Sequence, residues 1–426
     1  MSTTTPSSVK QPGEFAMGWK VLLAALIGVA CGASPIPFNT FGFVLEPIHL
    51  ETGWGYGQIS ASLMFYGITG ALLAPVFGWM ADHYGVRKVA IGSSFAFGLA
   101  FAALGAAPAS IIGFYFLWFL MGFVSIGSTP VGWSRAINLW FFKNRGLALG
   151  IMLLGTSLAA LVVPRIAVWS IAEFGWRGMF PAVALLPLLI SVPFALVFFR
   201  EPRNEEMPAE IREGGDLTGQ SLKEAMRGYR FWTIFGSIVL ISVAYGGAHV
   251  HMPEIIKQHG LTAEDGASIM GMIGIALLSG RLITGFLLDR FWAPLVCVPI
   301  LVIPAIACFL LMGASTNAAV IYVAAFMLGF AAGAESDLIA FLAGRYFGMA
   351  HYGKIYGMLY LPFGVCSAIS PTLYGWVRDT TGNYDGMLFA AMIMFPIGAV
   401  LLLFLGAYPN FKKSSSPTHN PQPEPA

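Results

Sequence analysis

Charge is what this 426-residue chain has least of. Asp, Glu, Lys and Arg together make up 10 % of it, against about 25 % in a soluble domain. So few charges cannot cover a water-exposed surface, and a soluble globular protein is excluded. Cysteine is scarce as well. Cys31, Cys297, Cys308 and Cys366 all fall in apolar runs without pairing or ligand spacing, so neither a disulfide framework nor a cysteine metal site is expected. No Gly-x-x-x-x-Gly-Lys-Ser/Thr loop and no His-Glu-x-x-His occurs, which removes nucleotide hydrolysis and the commonest helical metal centre. No nucleophile–base set stands out. The sequence therefore points to no enzyme, no cofactor and no metal. A net charge of +2 gives no ground for nucleic-acid binding.

Apolar residues are abundant, at 57 % of the chain. Runs of roughly 20 residues, long enough to cross a hydrocarbon layer of about 30 Å as helix, recur about twelve times. They lie near 18–42, 55–78, 89–108, 110–138, 147–171, 179–199, 231–256, 266–287, 293–313, 318–344, 355–378 and 387–408. Glycine, 50 residues in all, is frequent inside them, as in closely packed membrane helices. The first run follows a polar leader without a small-residue cleavage site and reads as a first helix, not a removed signal.

With the N-terminus assigned to the cytoplasm, 17 of the 23 Lys and Arg fall in cytoplasmic segments. Three (Arg177, Lys257, Arg378) fall outside and three within the membrane. That asymmetry predicts both termini on the cytoplasmic side of an inner or plasma membrane. Five segments follow: a disordered start at 1–17, six helices over 18–199, a charged linker at 200–230, six helices over 231–408 and a disordered tail at 409–426. A short surface helix is expected near 221–230.

The chain also repeats itself. Gly78-Trp79-Met80-Ala81-Asp82 recurs 207 residues later as Gly285-Phe286-Leu287-Leu288-Asp289. Gly122 is echoed by Gly329, Gly146 and Gly150 by Gly353 and Gly357, and Gly178-Met179 by Gly386-Met387, one residue out of step. Two related halves in a membrane usually enclose a substrate path.

Gly78, Asp82, Gly85, Arg87 and Lys88 lie between the second and third runs. A glycine there predicts close helix packing. An aspartate at a helix end predicts a clasp on a neighbouring helix N-terminus. The pattern resembles the loop motif of the major facilitator superfamily. Gly285, Asp289 and Arg290 form a weaker second copy, and Arg135 near the end of the fourth run is a further gating candidate. Glu51-Thr52-Gly53-Trp54-Gly55-Tyr56 and Trp140 to Gly150 resemble motifs of the monocarboxylate transporter and oxalate/formate antiporter branch. The resemblance implies an all-α integral membrane protein, twelve transmembrane helices in two pseudo-symmetric six-helix bundles, moving small organic anions. The binding residues of that branch are not reproduced: Leu277 stands where animal carriers have an aspartate, and 360–377 contains no lysine.

A charge at the centre of a membrane helix costs about 2.5–3.5 kcal/mol, and five residues stand there: Arg135, Arg165, Arg281, Glu335 and Asp337. Arg281 and Glu335 lie at similar depth in the second half. A guanidinium offers a planar fork to a carboxylate, and a carboxyl in an apolar setting can carry a proton. The expected reading is proton-coupled transport of a monocarboxylate-like anion by alternating access. Arg281 would hold the anion. Ser34 to Thr40 is a polar stretch of the first run broken by Pro35 and Pro37, which can line a cavity; Phe38, Asn39 and Thr40 in it, with Tyr66, Tyr245 and Tyr360, are further wall residues. Glu335, Asp337 and His249 are the proton candidates. Glu335 and Asp337, two apart, point in opposite directions on a helix. His249 and His251 do likewise and so share no metal. A static Arg281–Glu335 salt bridge, carboxylate exchange without protons, and export of amphipathic compounds are the competing readings. The expected partners are the anion, protons and the lipid bilayer, with the chain a monomer.

Overall fold

The computed structural model describes residues 13–142, 144–203, 206, 219–288, 290–313, 317–348 and 350–409. Lys143 and Asp289, the side chains of Asp82 and Asp337, both tails and most of the linker lie outside the described set, so the roles expected of them have no counterpart below.

Twelve helical crossings follow one another. The first is split into α1 (Glu14–Ala30) and α2 (Pro35–Thr52). The second is α3 (Tyr56–Tyr84) and the third α4 (Val86–Ala103). The fourth is split into α5 (Ile111–Ser125) and α6 (Pro130–Trp140). The fifth and sixth share α7 (Arg145–Leu185), two helices joined at Gly175 with φ +70°, and end in α8 (Val192–Phe198). The linker carries α9 (Leu222–Arg227), the short helix the sequence suggested near 221–230, and Ser221 and Glu224 form its capping box. The seventh crossing is α10 (Tyr229–Val250) with α11 (Met252–Gln258). Then come α12 (Ala263–Leu288), α13 (Ala293–Leu311), α14 (Ala318–Phe347), α15 (Tyr352–Thr381) and α16 (Asp385–Leu403).

The sequence marked a break only in the first crossing. The fourth and seventh are broken too, and each second piece has proline in its first turn: Pro35, Pro130 and Pro253. Proline lacks the N–H that a first turn leaves unbonded anyway, so it starts a helix cheaply; Pro164, Pro304 and Pro371, by contrast, lie inside continuous helices. The tenth crossing, whose Asp337 answers to Pro130 in the repeat, runs unbroken.

The repeat is also a packing repeat. A Cβ on Gly122 would sit 2.6 Å from the Tyr66 carbonyl and 3.2 Å from Thr69 Cβ. A Cβ on Gly329 would sit 2.6 Å from the Ile273 carbonyl and 3.0 Å from Ala276 Cβ. Tyr66 and Ile273, and Thr69 and Ala276, are again 207 apart. Each half thus seats its fourth helix on its second through the same glycine contact.

Large apolar side chains such as Leu72, Ile112, Leu189, Val197, Leu282 and Phe309 stand exposed. Water would penalise that surface and lipid does not. Nine helical stretches among the described residues are long and apolar enough to span a bilayer. One of them, running from Arg145 to Phe198, holds two crossings, and α3 and α15 line the seam between the halves. This is a multi-pass membrane protein.

Candidate functional site

One end of the bundle, here the near face, gathers the outer ends of α1 and α16 and the linker. Glu14 accepts from Phe142 N and Asn144 N at 3.0 Å, Trp140 Nε1 donates to the Arg200 carbonyl, and Arg230 donates to the Leu405 carbonyl. The opposite, far face is where the halves lock. Asp379 in the last turn of α15 accepts from Tyr56 N and Gly57 N of α3, both at 2.8 Å. Arg378 lies over the Tyr56 ring at 5.4 Å. Lys257 of α11 bridges Glu46 of α2 as well as Glu254, 3.0 Å away on its own helix. Fully buried His251 places Nε2 3.2 Å from Ser60 Oγ and Nδ1 2.9 Å from the Tyr384 hydroxyl. Gly42 lets α2 lie against the backbone at Val250: a Cβ there would be 2.2 Å from the Val250 carbonyl.

Deeper toward the near face, Arg281 of α12, 7 % exposed, donates from Nη1 to the Leu153 carbonyl of α7 at 2.7 Å. This is a contact between halves. Glu335 of α14, 4 % exposed, accepts from Ser242 Oγ of α10 at 2.9 Å. Arg281 and Glu335 are not ion-paired with each other among the described residues, so the static-bridge alternative has no counterpart here. One turn beyond Ser242, the Tyr245 hydroxyl and His249 Nδ1 are 3.1 Å apart.

The other wall candidates divide by what already satisfies them. Thr40 Oγ1 donates to the Ile36 carbonyl at 2.9 Å and Tyr66 OH to the Ala33 carbonyl at 2.5 Å. Both hydroxyls serve the broken first crossing; Ala33 N in turn donates to Ser128 Oγ. Phe38 lies 6.5 Å from the Tyr66 ring. Asn39, 5 % exposed, donates to the Pro35 carbonyl and leaves Oδ1 without a hydrogen-bond partner. Tyr360 belongs to a ring ladder on α15 with Tyr356 and Phe363.

The loop motif behaves differently from expectation. Among the described residues, a Cβ at Gly78 would meet Arg135 Nη1 at 3.6 Å, and one at Gly285 would meet nothing within 4 Å. Neither glycine marks a tight helix crossing. Instead the Gly78 carbonyl accepts from Arg135 Nη1 at 2.7 Å, a bond that needs no glycine. Gly85, with φ +88°, turns the chain into α4, where Glu201 accepts from Val86 N at 2.6 Å. Glu201 of the linker thus caps the N-terminus of α4, a contact separate from the clasp expected of Asp82. Arg87 donates to the Leu196 carbonyl, Lys88 stands exposed, and Arg290 lies over the Phe286 ring at 3.7 Å. In the Glu51 motif, Glu51 accepts from Trp176 Nε1 and Arg177 Nη2 while Gly55 abuts Asp379.

Sequence reasoning passed over Asp379, Ser242 and Ser60. Asp379 carried a legible signal. An anion in the last turn of a helix opposes the helix dipole, and its partner is a helix N-terminus elsewhere. Ser242 and Ser60 carried none, because serine is common in membrane helices.

Twelve crossings in two like halves, locked at one end over buried polar groups, define a membrane transporter and not an enzyme. The family model of the Major Facilitator Superfamily matches residues 21–371, and the chain belongs to that superfamily. The probable sulfoacetate transporter of Cupriavidus necator is 25 % identical over 84 % of this chain and 87 % of its own. Monocarboxylate transporter 13 of Bos taurus is 24 % identical over 97 % and 94 %. The crystal structure of a bacterial homolog to the human lysosomal transporter Spinster, inward-facing and occupied, superposes with a TM-score of 0.69 at 14 % identity, covering 93 % of this chain and 97 % of that one.

Proposed function

We propose that this transporter carries a small organic anion, monocarboxylate-like or sulfonated, together with a proton. The observation that carries the reading is Glu335, a deeply buried carboxyl whose described hydrogen bond comes from a neutral hydroxyl and not from a cation. Burying a carboxylate without a compensating charge costs several kcal/mol, which a proton relieves. Arg281 is the anion anchor. A guanidinium has five donors, so it can keep the Leu153 carbonyl and also grip a carboxylate or sulfonate. Its bond to α7 makes the anion site part of the contact between halves. Asp337 stays a second proton candidate. The names of the relatives in Cupriavidus and Bos taurus support the anion class. The near face is assigned to the cytoplasm of an inner or plasma membrane on the charge asymmetry, the halves to 18–199 and 231–408, and the working unit to a monomer.

A thermal-shift screen of lactate, pyruvate, benzoate, sulfoacetate and dicarboxylates on purified protein tests the anchor. At least one acid should stabilise the protein and lose that effect in Arg281→Ala; equal shifts in both proteins would discredit the anchor. In proteoliposomes, Glu335→Gln should abolish pH-driven uptake and spare counterflow exchange. Pure exchange without protons predicts no pH-driven uptake even in the parent, and pH-driven uptake unchanged in Glu335→Gln would remove Glu335 from this role.

A further inference from the structure

Ser242, Tyr245 and His249 are spaced by three and four residues on α10, which puts them on one stripe of the helix. The stripe starts at Glu335 and ends one residue before α10 stops, beside the far-face lock formed by His251. Along it, Ser242 Oγ is 2.9 Å from Glu335 Oε1, and the Tyr245 hydroxyl is 3.1 Å from His249 Nδ1. Tyr245 is one turn from Ser242 on the same stripe, and so lies on the side of α10 where Ser242 holds the Glu335 carboxyl. Among the described side chains, Arg281 is a charged group nearby, on α12, which packs along α14; Asp337 follows Glu335 by two residues on α14.

We propose that this stripe is the proton route between the far face and Glu335, with Ser242 as the positioning residue that aims the carboxylate at Tyr245. The inference rests on Glu335 being the proton carrier. The transfer balances without any co-reactant. A proton taken at His249 Nε2 from the far side makes the ring an imidazolium. Its Nδ1–H proton passes to the Tyr245 oxygen as the Tyr245 O–H proton passes to the Glu335 carboxylate, leaving a neutral acid, a regenerated hydroxyl and a neutral imidazole. The imidazole returns to its Nδ1–H tautomer before the next proton arrives. The organic anion needs the halves to part; a proton needs only a line of hydroxyl and imidazole groups. Because His251 of the lock is two residues on, unlocking the far face alters the surroundings of the route's entrance. Import and export of protons are thereby tied to the same movement that admits the anion.

The test follows the infrared carbonyl band of protonated Glu335, identified by its loss in Glu335→Gln, after a jump in external pH on proteoliposomes. Tyr245→Phe and His249→Asn should slow its appearance by about tenfold or more, short of the hundredfold that positioned proton-transfer groups often contribute, since conformational exchange also limits the rate. The final extent of protonation should not change, and thermal unfolding of both variants should match the parent. Ser242→Ala should move the pH midpoint of the band, which a merely structural serine would not do. Unchanged rates in both Tyr245→Phe and His249→Asn would overturn the route and leave Glu335 as carrier. A spectrum in which Glu335→Gln removes no band would instead overturn the carrier, and the route with it.

Discussion

Asp379 closes the far face by holding the backbone of Tyr56, 323 positions earlier in the chain and in the other half of the molecule. The carboxylate sits where its own helix repels it and where the N-terminus of α3 attracts it. The unfavourable end of one dipole and the favourable end of another meet in a single contact.

Asp379→Asn should therefore weaken the far-face lock without unfolding either half. A hydrogen bond to a charged acceptor contributes about 1.5–3 kcal/mol, so the equilibrium should move about tenfold or more toward far-face opening. Spin labels on the far ends of α3 and α15 would read this as a longer distance population. An unaltered distribution would remove Asp379 from the lock.

Gly122→Ala and Gly329→Ala should cost similar stability. Each puts a methyl about as close to a carbonyl as the other does, and overpacking of this kind costs about 1–3 kcal/mol. Thermal unfolding of the two variants measures it. A large loss for one and none for the other would show that the halves do not share this seat.

The Glu51 clasp should contribute little to stability. The Arg177–Glu51 pair is about one-third and one-half exposed at its two side chains, and such pairs contribute about 0–1 kcal/mol. Glu51→Gln should leave the unfolding temperature nearly unchanged. If the unfolding temperature falls steeply, the indole bond from Trp176 carries more than its exposure suggests.

At the near face, the Arg200 side chain and Arg203 N hold the Glu206 carboxyl down to about 2. A depressed carboxyl stabilises the fold above its unfolded value, near 4.5, and loses that contribution as pH falls toward 2. The difference in unfolding temperature between the protein and Glu206→Gln should be constant from pH 7 to about 5 and shrink only in more acidic buffer. A difference that vanishes already at pH 6 would contradict the Arg200 pairing.

Much of the architecture was legible before any coordinates. The lack of charge, the apolar runs and the 207-residue echo led to twelve crossings in two halves, because the hydrophobic length of a bilayer acts on each segment separately. Helix breaks were half legible: the proline at 35 was read, while Pro130 and Pro253 were hidden inside long apolar runs. The loop-motif glycines misled, because sequence shows that a glycine is present and not what a methyl there would touch. Glu201 was assigned to a solvated linker, yet it caps α4.

The sequence by itself determined that this chain lives in a membrane, that it is duplicated, and that its two candidate membrane carboxyl groups, Glu335 and Asp337, lie in the second half. Those are properties of composition and spacing. Tertiary structure alone decided the partners: that Glu335 meets Ser242 and not Arg281, that Arg281 reaches across to Leu153, and that Asp379 locks onto α3. Partner choice depends on how two helices far apart in sequence are rotated and set in depth against each other. That is settled by close packing of many side chains at once, which no single motif records.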